Sequence, residues 1–175
     1  LAGDGAPALA RLTLAEAALD EALGALLLAQ AASGPEAPSL AQRLGVASPV
    51  AEAFAAHLGR RTPPPGLEPL SPTAVEVLTS RLGRRLAEER PRLWVVEDLH
   101  AAGPEQRRLV AALARAGEDA PLLLVLTSRP GLDAETRAAL TALGSFQHLP
   151  LARLAPEDVA TLLGLAVEDR ALGQR

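Results

Sequence analysis

Glu97 and Asp98 close one apolar run, Leu93-Trp94-Val95-Val96, and Thr127-Ser128-Arg129 close another, Leu122 to Leu126. Short runs of aliphatic and β-branched residues with no polar interruption are the pattern of parallel strands buried on both faces. In open α/β sheets, ligands sit beyond the carboxyl ends of the strands. Two carboxylates on one tip and a guanidinium on the next are what phosphoryl transfer to water requires. One acid holds magnesium against the phosphates, another orients the attacking water, and a cation takes up charge on the γ-phosphate. Side chains alternate along a strand, so Glu97 and Asp98 should point differently and can divide the acidic tasks. The pair and Arg129, with the hydroxyls of Thr127 and Ser128, make up half of a nucleoside-triphosphatase site. The competing explanation is that turns favour polar residues and that an arginine ahead of a proline is an ordinary surface residue. His100 reads as a packed or hydrogen-bonded residue of the turn rather than a general base.

The elements that must position these residues are legible on either side. Gly103-Pro104-Glu105 opens a helix with proline at its first position and an acid in its first turn, Leu109, Val110, Leu113 and Ala114 form its apolar face, and Gly117 ends it. Ahead of the first strand, Ser71-Pro72 opens a helix through Val75, Leu78, Leu82 and Leu86, with Arg81, Arg84 and Arg85 on its solvated side. After the second strand, Asp133 caps a helix carrying Leu140 and Leu143, and Phe146–Leu149 is expected as a short third strand. Ala155-Pro156-Glu157-Asp158 opens a last helix, beyond which the tail turns polar at about Val167.

The first sixty residues are expected to be helical hairpins. Thr13 and Glu16 form a capping box for a helix reaching about Ala32, a short helical piece from Ser39 to Leu44 ends at Gly45, and Ser48-Pro49 opens a third helix that Gly59 closes. The division is a helical segment over 1–60, a proline-rich connector over 61–71, a nucleotide-binding core over 72–154 and a helical piece over 155–175. Four prolines exclude helix from the connector. The implied fold class is α/β, helix-rich with parallel strands.

Composition sets the bounds. The chain has 175 residues, 49% of them apolar, enough for one cored domain and too apolar for disorder. A net charge of −4 gives no support for a nucleic-acid surface, although all 17 basic residues are arginine. Lysine, isoleucine, asparagine, methionine, cysteine and tyrosine are missing, which we ascribe to codon bias in a GC-rich genome. Without methionine, the sequence is expected to be an internal piece of a longer protein. No apolar run is long enough for a membrane span and no leader pattern opens the chain, so a cytoplasmic parent is expected. Zero cysteines exclude disulfides, and three scattered histidines offer no metal-ligand cluster.

Leu93 to Pro104, then Glu105-Gln106-Arg107-Arg108-Leu109-Val110, and Leu122 to Pro130 resemble the Walker B and sensor 1 region of bacterial STAND-type, AAA-related P-loop ATPases. These modules occur in signalling proteins, fused to protein kinase, adenylate cyclase or LuxR-type output domains and to tetratricopeptide repeats. The likeness extends more weakly from about Pro65 to Leu163, where Leu151-Ala152-Arg153-Leu154-Ala155-Pro156 is similar to the entry into the helical lid; residues 1–60 match only as a helical insertion would. The resemblance implies a partial P-loop NTPase three-layer fold, with ATP and Mg2+ as ligands. Glu97 would be the magnesium-side acid, Asp98 the water-orienting acid and Arg129 sensor 1. Its implied role is a nucleotide-dependent switch whose partners are ATP and other domains of the same polypeptide, with neither nucleic acid nor membrane involved.

Two positions depart from the family pattern: Ala101 stands where an aromatic residue is usual, and Gly103 where an aspartate is usual. They favour the rival expectation of a non-hydrolysing interaction or scaffold module capable of self-association. The phosphate-binding loop G-x-x-x-x-G-K-[ST] needs a lysine, and Gly3-Asp4-Gly5 lacks both the lysine and a preceding strand. The loop is therefore expected upstream of Leu1 in the parent, and the 175 residues alone should not bind ATP tightly. In the resembled family the loop's strand lies between the second apolar strand and the one at Phe146. The expectation is thus parallel pairing of Leu93–Val96 with Leu122–Leu126, and Phe146–Leu149 unpaired or displaced.

Overall fold

The computed structural model describes residues 8–12, 19–32 and 38–162. A strand, β1 (Ala8–Leu12), is followed by helices α1 (Leu19–Ala31), α2 (Leu40–Leu44), α3 (Ser48–Leu58) and α4 (Pro72–Glu89). Then come β2 (Arg92–Val96), a 3-10 turn at Leu99–Ala101, α5 (Pro104–Ala116), β3 (Leu122–Leu126), α6 (Ala134–Thr141) and α7 (Pro156–Leu162). The fold is helix-rich mixed α/β.

The three strands form one parallel sheet in the order β1-β2-β3. Leu93 lies opposite Leu123 and Val95 opposite Val125, so the two apolar runs are paired as expected. Parallel neighbours need a long crossover, and α5 supplies it. β1 corrects the expectation of helix throughout the first sixty residues: Ala8 pairs with Arg92 and Leu12 with Val96. Ala-Leu-Ala-Arg-Leu carries no strand propensity of its own, so it is strand because the free edge of β2 offers it hydrogen bonds. Thr13 and Glu16, the expected capping box, lie outside the described residues.

The helices follow from local chemistry. Ser71 accepts a hydrogen bond from the Ala74 N–H at 3.2 Å and Pro72 takes the first turn, so α4 begins where both its donors and its φ are satisfied. Its Val75, Leu78, Leu82 and Leu86 are all buried. α2 has a full capping box, with Ser39 Oγ accepting from Gln42 N–H and Gln42 Oε1 from Ser39 N–H. In α5, Leu109, Val110 and Leu113 are buried as expected, and Ala116 joins them while Ala114 is only half-buried. The basic side of α4 is compensated. Arg81 donates to the Leu44 carbonyl at 2.9 Å and Arg85 pairs with Glu88 at 2.9 Å.

The core lies between α4, α5 and one face of the sheet, with α1 and α3 packed behind. Trp94 and Val96 point into it, each 2% exposed. A Cβ built at Gly24 would stand 2.0 Å from the Leu58 carbonyl oxygen, so the crossing of α1 over α3 depends on glycine there. The other face of the sheet differs from the expectation of strands buried on both sides. Leu123 and Val125 are 61% and 40% exposed, and their neighbours Leu93 and Val95 are half-buried. The helices joining these strands all sit on the Trp94 side, which leaves the opposite row of side chains without a covering helix among the described residues.

The Phe146–Leu149 segment is not a strand. The Phe146 N–H closes a turn onto the Leu143 carbonyl at 3.2 Å, and Leu149 is 77% exposed. Among the described residues it pairs with neither outer edge of the sheet, which agrees with the expectation that it is unpaired or displaced. No helix among the described residues is long and apolar enough to cross a membrane.

Candidate functional site

The carboxyl ends of β2 and β3 bring all five sequence-derived candidates to one edge. The ladder runs out at Val96, whose carbonyl accepts the Thr127 N–H at 2.9 Å. Glu97 follows, half-buried. Asp98 then turns into the left-handed region, with φ 56° and ψ 43°. A non-glycine residue there is uncommon, though aspartate tolerates it better than most, and residues held in sparsely populated backbone regions cluster at functional sites.

Contacts from the neighbouring strand impose this geometry. Thr127 Oγ1 accepts the Asp98 N–H at 3.1 Å, and the Thr127 carbonyl accepts the Leu99 N–H at 2.8 Å. The 3-10 turn closes beneath, with Ala101 N–H donating to the Asp98 carbonyl at 2.8 Å. Alternation along the strand therefore does not set the direction of Asp98; the left-handed turn does. Its side chain is 51% exposed, and the nearest basic atom is His100 Nδ1 at 3.8 Å from Oδ1.

On β3's side, Thr127 is committed to holding Asp98, and Ser128 Oγ donates to the Arg129 carbonyl at 3.0 Å. Arg129 is exposed, and its backbone N–H donates to His100 Nδ1 at 3.3 Å. His100 is thus a hydrogen-bonded residue of the turn, in accord with the sequence reading. Thr127 and Ser128 each support their own loop, one holding Asp98 and one the Arg129 carbonyl.

Sequence reasoning missed Arg107. From the second turn of α5 it donates to the His100 carbonyl at 3.1 Å and to Asp133 Oδ2 at 2.7 Å, tying the β2 tip to the cap of α6. Asp133 Oδ1 accepts the Thr136 N–H at 2.8 Å. The Thr136 bonds first, and the Arg107 guanidinium after them, pull the Asp133 carboxyl down to about 2. Asp133 was visible as a cap, but nothing in the spacing of Arg107 announces a partner twenty-six residues away. Gly103, where the resembled family has aspartate, leaves α5 without a side-chain cap.

Among the described residues, no three His, Cys, Asp or Glu side chains converge on a metal. Magnesium that arrives with a nucleotide does not need such a cage, since one or two carboxylates suffice when phosphates and water complete its shell. A half-exposed Asp98 next to Glu97 fits that requirement. The chain matches no protein-family model, no curated protein and no solved structure.

Proposed function

We propose that this chain carries the acid-and-arginine half of an ATP-hydrolysing switch module of the STAND-type, AAA-related P-loop class, within a multidomain bacterial signalling protein. One observation carries the reading. Asp98 is held in a left-handed conformation between two parallel strand tips by a threonine of the neighbouring strand, with Arg129 on the same edge. Backbone strain that a second strand must sustain is expected where a carboxylate has to be aimed. Glu97 and Asp98 would hold magnesium, which supplies charge neutralisation between the phosphates. Asp98 would also orient the attacking water, and the Arg129 guanidinium would meet charge on the γ-phosphate.

Two further features support a three-layer P-loop arrangement. β3 is an edge strand among the described residues, and the Leu123–Val125 face of the sheet is open. In the resembled family the phosphate-loop strand lies beside that edge. With no lysine in the sequence, the 175 residues lack the residue that a G-x-x-x-x-G-K-[ST] loop needs, and alone should not bind ATP tightly.

A second reading, a non-hydrolysing interaction or scaffold module, is favoured by the apolar side chains left in water: Leu151 is 95% exposed and Leu162 78%. One experiment separates the two: magnesium-dependent ATP turnover by the parent polypeptide carrying the sequence upstream of Leu1, with and without Asp98→Asn. The switch reading expects turnover that falls by about 100-fold or more in the variant. Neither binding nor turnover in the parent would leave the interaction module.

A further inference from the structure

We infer that His100 is a positioning residue that fixes the backbone of Arg129 against the tip of β2, so that Asp98 and Arg129 reach the nucleotide as one rigid unit. The inference rests on the switch reading for its consequence, but the latch stands on geometry alone.

Past Thr127 the β2–β3 ladder has no further rung, and the β3 chain leaves the sheet through Ser128 and Arg129. The cross-link at that point is the imidazole of His100, whose Nδ1 accepts the Arg129 N–H at 3.3 Å. A backbone N–H can only donate. Nδ1 is therefore the acceptor in this contact. Asp98 Oδ1 lies 3.8 Å from the same Nδ1, beyond hydrogen-bond distance.

The ring is itself held in place. The His100 carbonyl accepts from Arg107 Nη2 at 3.1 Å, and the 3-10 turn on either side is closed by Ala101 N–H to Asp98 O at 2.8 Å and Ala102 N–H to Leu99 O at 3.1 Å. Arg107 in turn grips Asp133 beyond the β3 loop. One turn of backbone thus sets the φ of Asp98 and, through the histidine ring, the backbone from which the Arg129 side chain extends. Displacement of a catalytic group by an ångström costs up to about 100-fold in rate, so such a brace has a measurable consequence.

Two variants and two readouts test it. In His100→Ala the acceptor is lost. In His100→Asn the amide oxygen stands where Nδ1 was, one bond from Cγ in both residues. By NMR-detected hydrogen exchange on the 175-residue chain, the Arg129 amide should exchange on the order of tenfold faster in His100→Ala and return towards wild type in His100→Asn. In the ATP-hydrolysing parent polypeptide, His100→Ala should lower kcat by about tenfold or more with little change in KM for ATP, and His100→Asn should recover most of it. Unchanged Arg129 exchange in His100→Ala overturns the latch. Unchanged kcat in a parent whose wild type turns over ATP, or an Asn variant no better than Ala, overturns the positioning role alone. A wild-type parent that neither binds nor hydrolyses ATP removes the switch reading and the role that depends on it, while the exchange result still decides the latch.

Discussion

Replacing Asp98 by glycine should make the chain more stable. At φ 56° and ψ 43°, an L residue pays roughly 1–2 kcal/mol for the approach of its Cβ to the following carbonyl, and aspartate somewhat less. Glycine avoids that cost and gives back roughly 0.5–1 kcal/mol through the greater freedom of its unfolded chain. The bond that holds the turn, from the residue-98 N–H to Thr127 Oγ1, uses backbone and survives the change. The carboxylate contributes little in exchange, because it is half-exposed and its nearest cation-forming neighbour is 3.8 Å away. The balance is a net gain of up to about 1 kcal/mol, or roughly 2–4 °C in Tm for a chain of this size. Asp98→Ala keeps the Cβ and loses aspartate's tolerance of this backbone, so it should fall below wild type. Urea unfolding followed by the fluorescence of Trp94, the sole tryptophan and 2% exposed, reads both. The order expected is Gly, then Asp, then Ala, with unchanged m-values. A glycine variant less stable than wild type would refute the argument, since it would mean that Asp98 sits in this conformation for structural reasons.

Two further outcomes follow from particular side chains. The Asp133 carboxyl lies at about 2 in the folded chain against 3.8 ordinarily, so its contribution to stability is fully present above pH 3.8 and is lost as pH falls towards 2. Asp133→Asn, which keeps a capping oxygen, should remove that segment of the pH–stability curve, and superimposable acid-unfolding profiles for the two proteins would contradict it. Thr79 is fully buried and its Oγ1 has no hydrogen-bond partner among the described residues. Thr79→Val, isosteric without the hydroxyl, should therefore raise stability by about 1 kcal/mol in the same urea assay, and a loss would point to a partner for the hydroxyl.

Much of the fold was readable along the chain because its signals are local. Ser71-Pro72 and Gly103-Pro104 set helix starts through fixed φ and free donors, and Leu93–Val96 and Leu122–Leu126 are strands by apolar run and length. The same locality brought Glu97, Asp98 and Arg129 to attention, since each ends a strand. Partnership across the chain was not local and had to wait for the tertiary structure. Ala8–Leu12 is a strand because β2 has an edge to fill, while Phe146–Leu149 leaves the open edge of β3 unpaired. That Thr127 supports Asp98 and that Arg107 ties two loops together was decided in space, because hydrogen-bond partners are set by distance rather than by residue order. Residue order alone determined which side chains end each strand; packing decided which of them hold the edge in place.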